Sequence, residues 1–207
     1  MAGARRWSGR SRLATARSGA PRALEARDPA LLAHALGQQA FVLAEVGEGA
    51  AAVELVREAQ EVAKHHVPTR LSAWLYAAEA EVCAGAGDRL GCRRALDRAT
   101  ALLPSGPAIQ PDLPYIVLDE THLAGWRGHS LSRLGDAGAV DNLYAALNRM
   151  DGTFTRAEAA LRCDLAYAHV IRGEQGEARN HAREARKLAS RTGSVRQLRR
   201  LDRMIAA

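Results

Sequence analysis

The sequence predicts an all-α protein built from about four stacked helix pairs and a C-terminal capping helix. Three observations predict it. Four short acidic turns, Gly47-Glu48, Gly87-Asp88, Gly135-Asp136 and Gly173-Glu174, each separate two Ala-rich helical runs. Their intervals of 40, 48 and 38 residues have the size of stacked helix–turn–helix repeats. Residues at fixed offsets from the four glycines also recur in kind. Seven before stand Ala40, Ala80, Gly128 and Ala166, and four before stand Leu43, Cys83, Leu131 and His169. Five after come Ala52, Cys92, Val140 and Ala178, nine after come Val56, Leu96, Tyr144 and Ala182, and twelve after come Ala59, Ala99, Leu147 and Ala185. Small residues return where two helices must approach closely. A single pair cannot bury its own apolar face, so neighbouring pairs supply the core.

Residues 1–27 are rich in Arg, Ser, Gly and Ala without a clear period, which predicts a disordered or frayed leader. Asp28-Pro29 is a helix start, because Asp caps free amides and Pro suits the first helical position. The first pair is expected within 28–66, with helices to about Val46 and from about Gly49 to Lys64. Val67-Pro68 breaks the chain, and the second pair (67–104) is expected at about 69–86 and 89–103. Pro104, Pro107, Pro111 and Pro114 make the longest irregular stretch, either a spacer or a cover for a groove, and a stiff one. The third pair (114–151) is expected at about 115–134 and 137–149, ending at the Asp151-Gly152 turn. Thr155-Arg-Ala-Glu158 reads as a capping box for the fourth pair (152–192), expected at about 155–172 and 175–190. After Thr192-Gly193, Ser194-Val-Arg-Gln197 opens a last helix (194–206). Its Val195, Leu198, Leu201 and Ile205 form one apolar stripe and its arginines face elsewhere, which suits a solenoid cap.

These columns resemble the tetratricopeptide repeat family. The second pair carries the likeness best, through Ala80, Gly87-Asp88, Leu96, Ala99 and Pro104. The family's period is shorter, and its large residue early in the first helix varies here among Leu36, Tyr76, Ala124 and Arg162, so this is a degenerate version covering roughly 29–190. The resemblance implies a right-handed superhelix whose first helices line a concave surface that holds a partner.

At 207 residues the chain is long enough for a sizeable core, and 47% hydrophobic but only 4% aromatic content suits closely packed Ala-rich helices. No apolar run reaches the roughly 20 residues needed to cross a membrane, and none follows Arg5-Arg6 to make a signal peptide. Cys83, Cys92 and Cys163 show no paired spacing, two of them in Ala or Leu columns, so they are expected as buried hydrophobes in a reducing cytoplasm. The net charge of +6 is segregated: residues 1–28 carry +5, residues 172–207 carry +6, and the body between carries −5. The high pI therefore says little about nucleic-acid binding by the body, and the basic ends read as solvated helix faces.

Candidate site residues lie at two offsets on one face of the first helices. Thirteen before the turns stand His34, Trp74, His122 and Ala160, and six before stand Phe41, Glu81, His129 and Tyr167. The seven-residue difference keeps them in line. Between them Gly37, Ala77, Gly125 and Cys163 form a small floor. Large residues flanking small ones predict a groove for an extended peptide or a helix, with Glu45 and Arg133 placed to anchor charge. Core packing of Phe41, Trp74 and Tyr167 is the competing reading. No metal or cofactor is expected: His122 and His129 stand two turns apart, about 10 Å, too far to ligate one ion together. His65-His66 at a helix end is expected to be exposed. The chain has no P-loop, GxSxG or GxGxxG, and adjacent His129 and Ser130 cannot face each other on a helix, so no enzyme is expected.

Two stretches sharpen the likeness. Pro114-Tyr115 through Asp119-Glu120 to Ala124, with Gly128-His129 to Gly135-Asp136, and Arg156 to Ala166 with the basic last helix, are similar to the C-terminal regions of bacterial transcription regulators. Those proteins join a helix-turn-helix head to a tetratricopeptide-like sensor. This resemblance implies peptide or protein sensing and homodimerisation. Residues 1–28 are too short for such a head, so no direct DNA binding is expected from this chain alone. The other reading is a free-standing repeat adaptor.

Overall fold

The computed structural model describes residues 28–64, 66–150 and 152–206; the expected leader at 1–27, His65 and Asp151 lie outside them. The described residues are all-helical, in nine helices: α1 Pro29–Glu45, α2 Gly49–Ala63, α3 Thr69–Gly85, α4 Arg89–Leu102, α5 Glu120–Arg133, α6 Ala139–Arg149, α7 Thr155–Ile171, α8 Gln175–Arg191 and α9 Val195–Ala206. None of these helices is long and apolar enough to cross a membrane.

The acidic turns share one geometry. Gly47, Gly87, Gly135 and Gly173 all take positive φ, between 65° and 86°, which only a residue without Cβ adopts freely. In each, the amide of the following acidic residue returns to the carbonyl five residues back: Glu48 to Leu43, Asp88 to Cys83, Asp136 to Leu131 and Glu174 to His169, at 2.9–3.0 Å. This is the Schellman closure of a helix C-terminus. Gly193 (φ 64°) repeats it, with the Ser194 amide on the Ala189 carbonyl at 2.8 Å. That fifth closure joins α8 to α9.

Helix starts are less uniform. Asp28 accepts from the amides of Ala30 and Leu31 at 2.8 and 3.2 Å, as an N-cap should. Asp88 and Asp119 cap Gly91 and His122, each at 2.8 Å. The Asp119 cap corrects the expected start of the third pair: α5 begins at Glu120 rather than near Tyr115. Residues before it are tied elsewhere, with the Ile116 amide on Leu113 O and the Leu118 amide on Ala108 O. The Thr155–Glu158 capping box is also corrected. Phe154 is the N-cap, without a side-chain cap bond, and Thr155 is already helical. Glu158 instead accepts from Arg162 Nε at 2.7 Å, an i,i+4 pair.

The chain forms two compact units. The first takes the described residues up to 105 and 109–116, the second 106–108 and 117 onward. In the first, α1 packs on α2, α3 on α4, α2 on α3 and α1 on α3. Leu36, Leu43, Leu55, Val56, Leu71, Leu75 and Leu96 fill its core. In the second, α5 packs on α6, α7 on α8, α6 on α7 and α5 on α7, while α9 lies against α8 and α7. Its main cluster joins Val140, Leu143, Ala146, Leu161, Leu165 and Ala168. Cys163, Ala185 and Leu201 tie α9 to α7 and α8.

Small residues admit these contacts. A Cβ on Gly37 would stand 2.6 Å from Trp74 Cζ3, and one on Gly125 would stand 3.0 Å from Leu161 Cδ2. Gly37 and Gly125 share one offset before their turns, so α1–α3 and α5–α7 meet at the same small column. On Gly128 a Cβ would meet Leu143 at 2.6 Å.

Candidate functional site

The candidate residues divide between the two units. In the first, α1 and α3 bring His34, Phe41 and Trp74 together. Trp74 lies over Gly37 and is only 6% exposed, so it belongs to the core and not to an open wall. Its ring meets Phe41 edge-on at 6.1 Å and His34 at 5.0 Å. The expected floor is likewise filled. Gly37, Ala77, Gly125 and Cys163 are all buried, because the helices themselves meet there. His34 and Phe41 stay half-buried, Glu81 is half-buried and Glu45 is exposed.

A residue the offsets did not single out completes this ring series. Tyr115, in the Pro-rich stretch, stands 4.8 Å from His34 and is 36% exposed. The series Phe41–Trp74–His34–Tyr115 therefore has a buried member and partly open ends. Burial holds His34 below the usual histidine range, so near neutral pH its ring is an uncharged stacking surface.

In the second unit, His122 and His129 do not act together. His122 Nδ1 lies 2.7 Å from Asp119 Oδ1, and its ring meets Phe154 edge-on at 5.2 Å. His129 Nδ1 lies 2.8 Å from Asp164 Oδ1 and its side chain is 13% exposed, so it faces inward and is not an open groove wall. Arg200 of α9 binds the same carboxylate and also donates to Gln197 Oε1 at 3.0 Å. Burial alone would raise the Asp164 carboxyl, but His129 and Arg200 overcome it and hold it at about 2. Arg133 is exposed and Tyr167 half-buried.

A second polar cluster escaped the offset reading. His169, in a Leu column, and His181 stack with rings 5.5 Å apart and 7° from parallel. Tyr144 Oη lies 3.2 Å from His169 Nε2 and 2.9 Å from His181 Nε2, and His169 Nδ1 lies 2.5 Å from Glu174 Oε2. Glu174 as a carboxylate can only accept, so Nδ1 of His169 donates. A neutral His169 then accepts the Tyr144 hydroxyl proton at Nε2, and Tyr144 accepts from His181 Nε2–H. His181 Nδ1 is left buried without a hydrogen-bond partner among the described residues. Burial lowers the His181 pKa, and the Arg162 guanidinium adds to it.

Below the ordinary histidine value of about 6.5 the unfolded chain takes up a proton that folded His181 resists. Stability is complete above that value and falls as pH drops through the window below it, with a limiting slope of about 1.4 kcal/mol per pH unit for one proton. Urea midpoints taken between pH 7.5 and 5.5 should fall, and His181→Phe should flatten the dependence. An unchanged dependence would refute a neutral buried His181.

None of these groups is arranged for nucleophilic chemistry. Cys83, Cys92 and Cys163 are buried thiols that form no disulfide. Burial pushes the thiol of Cys83 up to about 12 and that of Cys163 to about 11, which keeps both protonated. Among the described residues no three His, Cys, Asp or Glu side chains are grouped to hold a metal ion. No protein-family model, curated protein or solved structure matches the chain.

Proposed function

We propose that this chain is a non-catalytic helical-repeat module that captures a protein or peptide, and that it serves as the sensing part of a bacterial transcription regulator. The repeats are of the tetratricopeptide kind, which stack as right-handed superhelices. Five turns closed by one hydrogen-bond pattern, and first helices that meet at one small-residue offset, support the repeat reading. The observation that carries capture is the ring series on α1, α3 and the Pro-rich stretch. Aromatic rings anchored on a rigid core but open at the edge are the usual hot spots of an interface. Exposed Glu45 stands one helical turn beyond Phe41. The regulator role rests on the likeness of the third and fourth pairs to regulator C-terminal regions.

The test uses the surface rings, not the core ones. A peptide array probed with the intact chain defines the ligand, and a Phe41→Ala, Tyr115→Ala double variant is compared with an Arg149→Gln control. The double variant should bind at least about tenfold more weakly, with unchanged helicity. Equal binding by both would sink the ring-series reading. Transcript profiling of a strain lacking the chain tests the regulator role separately, and unchanged transcripts would refute it.

A further inference from the structure

A cavity of about 240 Å³ opens in the first unit among α2, α3 and α4, lined by Arg57, Tyr76, Glu79, Arg94 and Arg98 around Gly91 and Ala95. Its charge is set by three guanidiniums and one carboxylate. Glu79 is 8% exposed and already committed: it accepts from Arg57 Nε and from Gln60 Nε2, both at 2.9 Å. The Arg57 bond uses Nε and aims that guanidinium beside the cavity. Arg94 and Arg98 are exposed and make no hydrogen bond or ion pair among the described residues. They stand four apart on α4, where like charges repel. Both nevertheless line one concavity.

We infer that this cavity is a binding site for a phosphomonoester of a small organic molecule. The residual charge of two matches a phosphate dianion, and guanidinium forks are the side chains best shaped to hold one. Tyr76 lines the same wall. At about 30 Å³ per water-sized group, the volume takes a phosphate and a few further atoms, not a nucleotide chain. A second cavity of about 160 Å³ shares Tyr76 and is lined by Gln60, Ala63, Lys64, Ser72, Leu75 and Leu102. Its Ala63, Leu75 and Leu102 offer apolar contact to the organic stem, and Lys64 adds a further cation at its edge. The site involves the second helices and is independent of the ring series, so either reading can fail without the other.

The experiment is calorimetric titration of the intact chain, at constant ionic strength, with inorganic phosphate, glycerol phosphate and dimethyl phosphate. Glycerol phosphate should bind at least as tightly as inorganic phosphate, and both more tightly than the singly charged diester. An Arg94→Gln, Arg98→Gln double variant should lose about tenfold or more in affinity, while Arg149→Gln in the second unit should lose none. Circular dichroism checks that the double variant stays folded, as exposed positions allow. Equal affinity in the double variant, equal affinity for the diester, or no binding by any of the three would overturn the assignment.

Discussion

Replacing Trp74 by alanine is expected to lower the unfolding free energy by about 3–5 kcal/mol, a large share of the 5–15 kcal/mol that holds an ordinary domain together. The indole is 6% exposed, rests against Gly37 and is flanked by the rings of His34 and Phe41. Truncation removes its apolar area from the core and leaves a cavity, because the helices on either side are already held by Ala and Leu contacts. Phe41→Ala, at a half-buried position, should cost less. Urea unfolding followed by circular dichroism measures both. A Trp74→Ala loss below about 1 kcal/mol would show that the indole is not packed as described. This ordering also explains why Phe41 and Tyr115 are the informative positions for binding: a variant at Trp74 confounds lost contact with lost fold.

Asp164→Ala is expected to cost about 3 kcal/mol and to loosen α9. Asp164 is 3% exposed and joins three helices: its own α7, α5 through His129, and α9 through Arg200. Removing the carboxylate leaves the Arg200 guanidinium and the His129 Nδ1 without that acceptor, and breaking a buried charged network costs more than its formation contributes. The carboxyl is held at about 2, so its share of stability is present above the ordinary carboxylate range and lost only as pH falls toward 2. Hydrogen exchange gives the sharper readout. Amides of Val195–Ala206 should lose protection well before those of α5–α8, since α9 is then held by the packing of Leu198, Leu201 and Met204 and by the exposed Arg186–Asp202 pair. Uniform loss across the second unit would show that Asp164 serves the whole core rather than the terminal helix.

The local signals that were legible in the chain are those with a local cause. Asp28-Pro29, Gly47, Gly87, Gly135, Gly173 and Gly193 act through their own backbone bonds, and the helices start or stop at them. The start of α5 was not legible, because it depends on Ile116 and Leu118 finding buried places and on Asp119 winning the cap from the residues before it. The Thr155–Glu158 pattern misled for a related reason. The same spacing serves a capping box or, one residue further in, an ordinary helix turn with Glu158 paired to Arg162.

The candidate site shows the same division. The helical offset aligns His34 with Phe41 on one face of α1, and both rings meet Trp74. Which of those rings is core and which remains open was decided by tertiary packing, where Gly37 lets Trp74 sink between α1 and α3. Tyr115 reaches His34 only because residues 109–116 pack within the first unit. His169 stands in an aliphatic column, yet it is satisfied by Tyr144, His181 and Glu174, which come from three other segments. By itself the sequence determined the helical class, the turn positions and the segregation of charge, because periodicity, glycine and charge are read residue by residue. The tertiary structure alone decided which polar groups meet, because Asp164 with Arg200, and Arg57 with Arg94 and Arg98, are neighbours only after helices far apart in the chain have packed.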